Sequence, residues 1–415
     1  MDVTANNIAN SNTEGYSRET AVLQPTAPIE IPALSALTGE GARLGTGVTI
    51  ETISRIRNAY LDSQYRTQNS ALSSASTQAE ELAQAQSAFN EPSSAGLATQ
   101  LSAFWSAWTS LSDAPTSEAA KEGVVAAGNQ LASTLNQLSG QLQAISKQAT
   151  EQYEARAGAG GEVESDAKQI AQLNGQIRLA EESGQQPNEM LDRRDLLLDK
   201  LSGLAQVTVA KQADGTDTVT FGGAAKPLVE GTTVNWPQAL STASGGQLGA
   251  LLTLTSPTGA FASYQEALNT VASALATSVN ALHTSTPFFS GKTAATIAVA
   301  VTPAQVQTSS TGTPGGNDVA LAIAALRGGA ADQSYSALVE RVGSDVKSAR
   351  DEQTNLQTTL TAINSQRQSV SGVSLDEEMT NMIAFQRGYQ ASARTLTAMD
   401  DMLETLIEHT GKVGL

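Results

Sequence analysis

A seven-residue apolar repeat near the C-terminus constrains the fold of this chain more than any other feature of its sequence. Large apolar side chains recur at every seventh position and a second set stands beside them: Leu375, Met382, Tyr389, Leu396 and Leu403, with Phe385, Met399 and Leu406. This period is typical of an α-helix that lies along a partner helix. Ser374 and Glu377 have the spacing of a capping box, so we expect the helix to begin there and to end at Thr410-Gly411. The alternative is a helix packed in a globular core.

Similar repeats predict long helices in the preceding part of the chain. The expected ranges are about 57–91, 95–112, 188–202, 261–283 and 335–368. A further helix is expected to begin before Val124, and its repeat keeps phase from Ala149 to Ile177 although Gly158–Gly161 interrupts it. Each glycine inside a helix costs ~1 kcal/mol relative to alanine, but a loop would have no reason to preserve the phase. The sequence therefore predicts one continuous or kinked helix through these glycines.

The periodicity changes from seven to two after about residue 205. Val207 and Val209 alternate with polar residues up to Asp214-Gly215, and Val219 and Phe221 alternate beyond it. An Asp-Gly pair between two alternating runs predicts a β-hairpin. We expect a small β region over 205–256 and strand or loop over 288–312. The predicted fold class is therefore mainly α, with a smaller β-containing domain.

The N-terminal residues 2–18 are rich in Asn, Ser, Thr and Gly. Asn and Ser side chains bond to nearby backbone and compete with helix formation, so this stretch is predicted to form turns. Proline and glycine are frequent in 25–47, which predicts an extended and looped segment. Composition alone does not separate an assembly element in 2–18 from a plain Asn-rich turn.

Composition restricts the possible partners of the chain. The formal net charge is −17, from 41 acidic and 24 basic residues. Such a surface repels phosphate, which argues against nucleic acid and anionic membrane. The chain has no cysteine, which excludes disulfides and thiolate chemistry. Met1 is followed by polar residues, so no signal peptide is predicted, and no apolar run is long enough to span a bilayer.

No catalytic, cofactor-binding or metal-binding constellation is visible in the sequence. His283 and His409 have no ligand or nucleophile at a motif spacing, and we expect a helix-end histidine and a solvated one. The charge-dense run Asp192-Arg193-Arg194-Asp195 is predicted to be a solvated helix face with local ion pairs. The alternative interpretation of this run is an interface clamp.

The opening residues resemble the N-terminal signature of bacterial flagellar axial proteins. Within that group, Asn12–Arg18 is similar to the flagellar hook-associated protein 1 family. The interior segments that carry the same resemblance are Glu91–Leu97, Ser183–Asp195, Tyr335–Val339 and Gly372–Glu378. The resemblance covers about 1–260 and 315–415.

This resemblance implies a structural, non-enzymatic adaptor of the flagellar hook–filament junction, without a cofactor. The N-terminal signature would be an assembly motif, formed by Asn6, Asn7, Ile8, Ala9, Asn10, Asn12, Thr13, Gly15 and Tyr16. The C-terminal repeat would be both a coiled-coil seam and, over about Leu375–Ile407, the binding surface for a cytoplasmic export chaperone. The implied partners are copies of the chain itself, hook protein, hook-associated protein 3, the chaperone and the type III export apparatus. The implied location is the extracellular flagellum, reached without a cleaved signal peptide.

The resemblance also implies an elongated, multi-domain fold, in which a long helical coiled-coil shaft is built from both termini and an outer domain is inserted between them. The chain would then have three regions. Residues 1–56 and 369–415 would form a terminal assembly region, 57–204 and 316–368 a helical shaft, and 205–315 an outer domain. One alternative is hook-associated protein 3 or a hook or rod protein. An alternative from another class is a coiled-coil surface adhesin, in which the outer domain would carry the function.

The N-terminus departs from the family pattern. The family usually has a further amphipathic helix before Asp-Val-Thr, and Met1 stands where Leu is common. We therefore expect the C-terminal helix to lack its natural partner, since an unpartnered helix gains little stability from propensity alone. Residues 1–20 and about 385–415 would be frayed or held only by a neighbouring molecule, and the chain as given would not polymerise.

Overall fold

The computed structural model describes residues 1–30, 43–44 and 46–410, and helices dominate this part of the chain. The helices are α1 (Asp2–Ala9), α2 (Ala59–Phe89), α3 (Leu97–Asp113), α4 (Glu118–Ala157), α5 (Glu162–Glu182), α6 (Asn188–Leu204), α7 (Gly246–Thr255), α8 (Ala260–Leu282), α9 (Asp318–Ala324), α10 (Ala330–Ser371) and α11 (Leu375–Thr410). None of these described helices combines the length and the apolar character that crossing a bilayer requires.

The strands form small antiparallel sheets. They are β1 (Glu19–Pro25), β2 (Ile29–Glu30), β3 (Arg43–Leu44), β4 (Val48–Arg55), β5 (Val207–Lys211), β6 (Asp217–Phe221), β7 (Val229–Glu230), β8 (Thr233–Val234), β9 (Phe289–Ser290) and β10 (Ala298–Val299). Strands β1 and β4 form a two-stranded ribbon, β2 pairs with β3, and β5 to β8 form a four-stranded sheet in sequence order. The prediction of a mainly α chain with a smaller β-containing part is confirmed.

Local signals set the ends of α2. The Asn58 side chain accepts hydrogen bonds from the N–H groups of Tyr60 and Leu61, which caps the first turn. Asn90 ends the helix in the left-handed conformation, with φ of 48°, a conformation that Asn tolerates better than most residues. Pro92 follows and cannot continue the helix.

The main core lies where α2, α3, α4, α8 and α10 meet. Its centre is a group of fully buried aromatic side chains: Phe104, Trp105, Trp108, Phe288 and Phe289. The Trp105 indole N–H donates to the Asp332 carboxylate at 3.0 Å, which satisfies its one polar atom and ties α3 to α10. Helix α8 belongs to this same core although it lies within 205–315. The assignment of 205–315 to an outer domain stays a prediction.

A second core lies between α5, α6 and the four-stranded sheet. Val163 and Ile170 on α5 pack in one cluster with Leu198 on α6 and with Val219 and Phe221 on β6. The hairpin predicted at Asp214-Gly215 is confirmed, since β5 and β6 flank it in antiparallel register. Gly215 there has φ of +77°, which a residue with a side chain would adopt only at a steric cost.

The prediction of one helix through Gly158–Gly161 is wrong. Helix α4 ends at Ala157 and α5 begins at Glu162. Gly160 has φ of +76°, and a Cβ on Gly158 would lie 2.4 Å from the Glu154 carbonyl oxygen. The glycines therefore serve a turn that other residues could not make, and Val163 and Ile170 face the second core rather than the first.

The prediction of turns throughout residues 2–18 is also wrong, because Asp2–Ala9 is helical. The asparagine side chains that were expected to compete with the helix are compatible with it. Asn7 bonds to the backbone of Glu19, and Asn10 donates to the Asn6 side chain. Within the extended and looped segment expected over 25–47, the end of β1 at Pro25 and strands β2 and β3 are strand, and residues 31–42 and 45 lie outside the described residues.

A short break at Gly372–Ser374 separates α10 from α11. The Ser374 hydroxyl accepts the Glu377 N–H at 3.4 Å, as a capping box requires. The second half of the box is replaced, since the Glu377 carboxylate pairs with Arg18 instead. The helix start predicted at Ser374 is therefore confirmed, whereas α10, expected to end near residue 368, continues to Ser371. Residues 411–415 lie outside the described chain.

Candidate functional site

Helix α6 presents three aspartates on one face. Asp192, Asp195 and Asp199 stand three and four positions apart, the spacing that aligns side chains along a helix. Asp192 is buried, and the carboxyls of Asp195 and Asp199 are only 16% and 13% exposed. Carboxylates that lose this much water need cations or hydrogen-bond donors against them.

Two arginines reach these carboxylates from the end of the ribbon. The Arg55 Nη1 lies 2.6 Å from Asp192 and 3.0 Å from Asp195. The Arg57 guanidinium lies 3.3 Å from Asp195 and 2.7 Å from Asp62, near the start of α2. Arg55 and Arg57 are alternate residues of an extended segment, so both point to the same side.

Two further arginines come from the long helices. Arg66 on α2 contacts Asp199 at 2.7 Å and Asp195 at 3.1 Å. Arg367 on α10 contacts Asp199 at 2.6 Å and lies 4.6 Å above the ring of Tyr65. The network thus links α2, α6, α10 and the ribbon, and we call it the Arg–Asp cluster: Arg55, Arg57, Arg66, Arg367, Asp62, Asp192, Asp195 and Asp199.

Charge pairing keeps Asp195 and Arg57 ionised despite their burial. Burial alone would raise the pKa of Asp195, but the charges of Arg57, Arg55 and Arg66 outweigh it and hold the pKa at about 2. Burial likewise opposes the charge on Arg57, whose pKa is nevertheless raised by Asp195 and by the hydrogen bond to Asp62. The cluster is therefore a set of mutually dependent charges, in which removal of one leaves its partners uncompensated.

The N-terminal motif closes onto this cluster. The Asn7 amide donates to the Glu19 carbonyl at 2.9 Å, and its oxygen accepts the Glu19 N–H at 2.9 Å and the Tyr16 hydroxyl at 2.8 Å. Residues 10–18 are thereby folded back against α1. Ser17 then donates from its N–H and its hydroxyl to Asp192, at 3.0 and 2.7 Å.

Arg18 connects the same point to the C-terminal helix. Its N–H donates to the Ser371 carbonyl at 2.8 Å, and its guanidinium contacts Glu377 and Glu378, both at 2.8 Å. The Glu378 side chain is only 3% exposed, so this ion pair excludes most water. We call the meeting point of Ser17, Arg18, the Arg–Asp cluster and the start of α11 the joint.

The structure brings the predicted assembly motif together, with different exposures. Asn7 is buried, whereas Ala9, Asn12 and Thr13 are exposed. The remaining members are partly buried: Asn6, Ile8, Asn10, Gly15 and Tyr16. Gly15 has φ of +82° and a Cβ there would lie 3.2 Å from Leu196, so this turn requires glycine. Their assembly role stays a prediction.

Helix α11 exposes its apolar repeat almost completely. The exposed fractions are 67% for Leu396, 70% for Tyr389 and 57% for Leu403. Leu375, Phe385 and Met399 are also exposed, Met382 is partly buried, and the side chain of Leu406 lies outside the described residues. Helix α1 packs against α11, and the burial of Glu378 and Met382 confines that cover to its first turns. The roles of these residues as seam and chaperone site stay predictions.

The prediction of a solvated face at Asp192-Arg193-Arg194-Asp195 is wrong for three of the four residues. Only Arg193 is exposed. Arg194 donates to Asn174 Oδ1 and to the Gly215 carbonyl, and it lies 3.0 Å from Asp217. The sequence signal that could have indicated this face was the spacing of Asp192, Asp195 and Asp199, which places the three carboxylates on one side of α6.

His283 has a structural role. It directly follows α8 and is 1% exposed, which confirms the helix-end interpretation. Its Nε2 accepts the Gln307 N–H at 2.8 Å, so the proton is on Nδ1, which lies 2.5 Å from the Thr286 carbonyl oxygen. Both ring nitrogens are therefore engaged by backbone. The side chain of His409 lies outside the described residues.

Comparisons with known families match three parts of the chain. Residues 82–243 match the model described as "Flagellar hook-associated protein FlgK helical domain". Residues 364–408 match "Flagellar basal body rod FlgEFG protein C-terminal", and residues 1–16 match "Flagella basal body rod protein". The two terminal matches coincide with α1 and α11, and the central one spans the Arg–Asp face of α6.

Individual proteins are also similar to this chain. Flagellar hook-associated protein 1 of Bacillus subtilis is 29% identical over 492 aligned positions, which include 100% of this chain and 96% of the relative. The protein of the same name from Salmonella typhimurium is 27% identical over 235 positions, 56% of this chain and 40% of the relative. The solved hook junction protein FlgK of Burkholderia pseudomallei aligns with 53% of this chain and 43% of its own, at 28% identity and a TM-score of 0.46.

These matches do not favour the hook-associated protein 3, hook or rod alternatives, nor the adhesin alternative. The relative from Bacillus subtilis aligns across the whole chain, including both terminal elements and the β-containing part between them. The chain is a structural protein of the bacterial flagellum, and over its whole length it is similar to flagellar hook-associated protein 1.

Proposed function

We propose that the protein acts as an adaptor between hook and filament by packing the apolar face of α11 against neighbouring molecules. The neighbours on one side would be copies of itself and hook protein, and on the other side hook-associated protein 3. The exposed repeat on α11 is the observation that supports this proposal. A run of large apolar side chains in water is unfavourable unless a partner covers it.

The contrast with the rest of the chain strengthens this interpretation of α11. In α4 the same seven-residue repeat is covered within the molecule, and Leu131, Leu135 and Leu138 are all buried. In α11 the equivalent positions Tyr389, Leu396 and Leu403 are more than half exposed. A seam of this type gains its stability from a partner helix, so we assign the partner of α11 to other molecules of the flagellum.

The N-terminal motif would set the position of α11 in the assembly. Asn7 and Tyr16 fold residues 10–18 against α1, and Ser17 and Arg18 bind the bundle and the start of α11. These contacts orient both terminal helices relative to the bundle. A rigid joint lowers the entropic cost of assembly, because fewer orientations have to be lost on binding.

The exposed face of α11 also suits a chaperone before export. We place the binding surface for a cytoplasmic export chaperone at about Leu375–Ile407, where it would protect the apolar repeat from premature association. The protein would then leave through the flagellar type III apparatus without a cleaved signal peptide and act outside the cell. These steps rest on the family resemblance and on the exposure of the repeat.

The test is a pair of substitutions in the full chain, expressed in flagellated cells that lack their own copy. Leu396→Ser with Leu403→Ser removes two seam residues, each of which contributes ~1.5–3 kcal/mol when buried. We expect loss of motility, release of the protein into the medium and at least a roughly tenfold weaker affinity for the chaperone. Arg394→Ser, which removes an exposed side chain on the opposite face of α11, is the control and should behave as wild type. Unchanged motility and chaperone affinity in the double variant would contradict both roles.

A further inference from the structure

The ribbon formed by β1 and β4 has an apolar face that nothing in the described chain covers. Leu23 is paired with Ile50, and Pro25 with Val48. Cross-strand partners and alternate residues of a strand lie on the same face. These four residues therefore share one face, which we call the ribbon face, while Gln24 lies on the opposite one.

The apolar side chains of the ribbon face are highly exposed. Leu23 and Ile50 are each 57% exposed, and Val48 is 64% exposed. An isolated two-stranded ribbon is at best marginally stable in water, and proteins normally cover or charge such open apolar strands. A partner on this face would resolve both problems.

The two halves of the ribbon differ. Near the joint, Glu19 is buried and Arg55 belongs to the Arg–Asp cluster, so this half is anchored to the molecule. The register shifts between Val22 and Leu23, which leaves Glu51 without a cross-strand partner. Such a bulge increases the local twist, and it separates the anchored half from the exposed half that carries the ribbon face.

We propose that the ribbon face packs against a second copy of this chain in the assembled flagellum. This inference rests on the proposed function, because it adds a second contact to an assembly that α11 organises. Arg18 directly precedes β1 and is bound to Glu377 and Glu378 in the first turn of α11. The ribbon and α11 therefore leave the same joint, and a copy that packs along the start of α11 is brought beside the ribbon.

The charge and the area of the ribbon face both favour a second copy of the chain as its partner. The chain has a net charge of −17, so contacts between copies are favoured on surfaces without carboxylates, and no residue of the ribbon face is charged. Four side chains are too few for the ~1,000 Å² that a stable interface buries. The ribbon face therefore stabilises copies that α11 already holds together, and it does not form a dimer on its own.

The absence of cysteine from the sequence allows a direct test of this contact. Leu23→Cys and Gln24→Cys are prepared separately in the full chain and labelled with a benzophenone maleimide. Each labelled protein is then added to flagellated cells or hooks that lack their own copy and irradiated after assembly.

We expect the label of the Leu23→Cys variant to give a product of twice the chain mass that contains two copies of this chain. The label of the Gln24→Cys variant, on the opposite face, should give at least fivefold less of this product. Equal yields from the two variants would overturn the proposal. Products of the Leu23→Cys variant with other proteins alone would overturn it as well.

A second measurement separates this proposal from the role of α11. Leu23→Ser with Ile50→Ser should lower the amount of protein retained on isolated flagella at least fivefold, while Gln24→Ser with Thr49→Ser should leave it unchanged. Circular dichroism of each variant confirms that the bundle is folded. If the Leu23 and Ile50 variant is retained normally while Leu396→Ser with Leu403→Ser is lost, the ribbon proposal alone is wrong. If both variants are retained, the role of α11 is wrong as well.

Discussion

The helical bundle and the C-terminal helix have the same kind of sequence and opposite environments. Leu135 on α4 and Leu396 on α11 both stand in a seven-residue apolar repeat, yet the first is 0% exposed and the second 67%. In the bundle, chain connectivity brings partner helices to every seam. Among the described residues, only α1 covers α11, and it covers the first turns. A seam therefore indicates that a helix has a partner, but it does not indicate whether that partner belongs to the same molecule.

The joint between these two regions is held by a different force. The bundle is stabilised by buried apolar area, whereas the joint is stabilised by paired charges with little apolar surface between them. Charge pairing fixes the relative orientation of the elements that it joins, because a guanidinium donates hydrogen bonds to its carboxylate only in certain directions. Apolar packing is less selective in orientation. Under the proposed function, this division would let a stable body present α11 and the ribbon at a defined angle.

The strongest test of the joint is the removal of its central charge. Asp195→Asn keeps the shape of the side chain but leaves Arg55, Arg57 and Arg66 without their shared carboxylate. Breaking one partner of a buried ionic network typically costs about 3–5 kcal/mol, and we expect this loss in the free energy of unfolding, measured by urea titration. Arg193→Gln changes an exposed neighbour and should cost less than about 0.5 kcal/mol. A loss below about 1 kcal/mol for Asp195→Asn would show that the cluster is screened by water.

A matched pair of leucines tests the comparison between the two seams. Leu135→Ala should destabilise the dilute chain by about 2–5 kcal/mol, because it leaves a cavity in a packed core. Leu396→Ala should change stability by less than about 0.5 kcal/mol, because the side chain is already in water. Urea titration of both variants at low protein concentration gives the answer. A large loss for Leu396→Ala would mean that α11 is covered within the single molecule.

Acid should weaken the joint before the bundle. The pKa of Asp195 is about 2 in the folded chain, below its ordinary value of 3.8. A carboxylate whose pKa is lowered in the folded chain contributes its full stabilisation above the pKa that it has in the unfolded chain. This contribution is lost as the pH falls through the pKa of the folded chain. The contribution is on the order of 2 kcal/mol, with about half lost by pH 3. The difference in unfolding free energy between wild type and Asp195→Asn should therefore narrow between pH 5 and pH 3. A constant difference over this interval would contradict the ion-pair account.

The sequence predicted well those features whose causes are local. The ends of α2 and α3, the hairpin at Asp214-Gly215 and the break before Ser374 follow from nearby proline, glycine and capping residues. The Arg–Asp cluster was missed because its partners are far apart along the chain, with Arg55 and Asp192 separated by 137 positions. Of the residues in the cluster, only the three aspartates on one face of α6 lie close enough together in the sequence to form a recognisable pattern. The helix at Asp2–Ala9 was missed because Asn7 bonds to Glu19 rather than to its own helix.

The same limit explains the error at Gly158–Gly161. A seven-residue period records the spacing of apolar residues but not the direction of the helix that carries them. The chain turns at these glycines and resumes in phase against a different core. Alanine substitution can distinguish a turn from a continuous helix at this point. Alanine destabilises a turn at a position with positive φ, whereas it stabilises a helix.

The smallest expected effect is therefore the direction in which an alanine substitution changes the stability of the chain. Gly160 has φ of +76° and no atom within 4 Å of an added Cβ, so Gly160→Ala should destabilise the chain by about 1 kcal/mol through backbone strain alone. Gly140 lies in the middle of α4, is exposed and likewise has open space around an added Cβ. Gly140→Ala should therefore stabilise by about 1 kcal/mol, since alanine is the better helix former. Thermal unfolding of the two variants beside wild type compares the two positions directly. If Gly160→Ala also raises the melting temperature, Gly160 has helical backbone, and α4 and α5 are one helix after all.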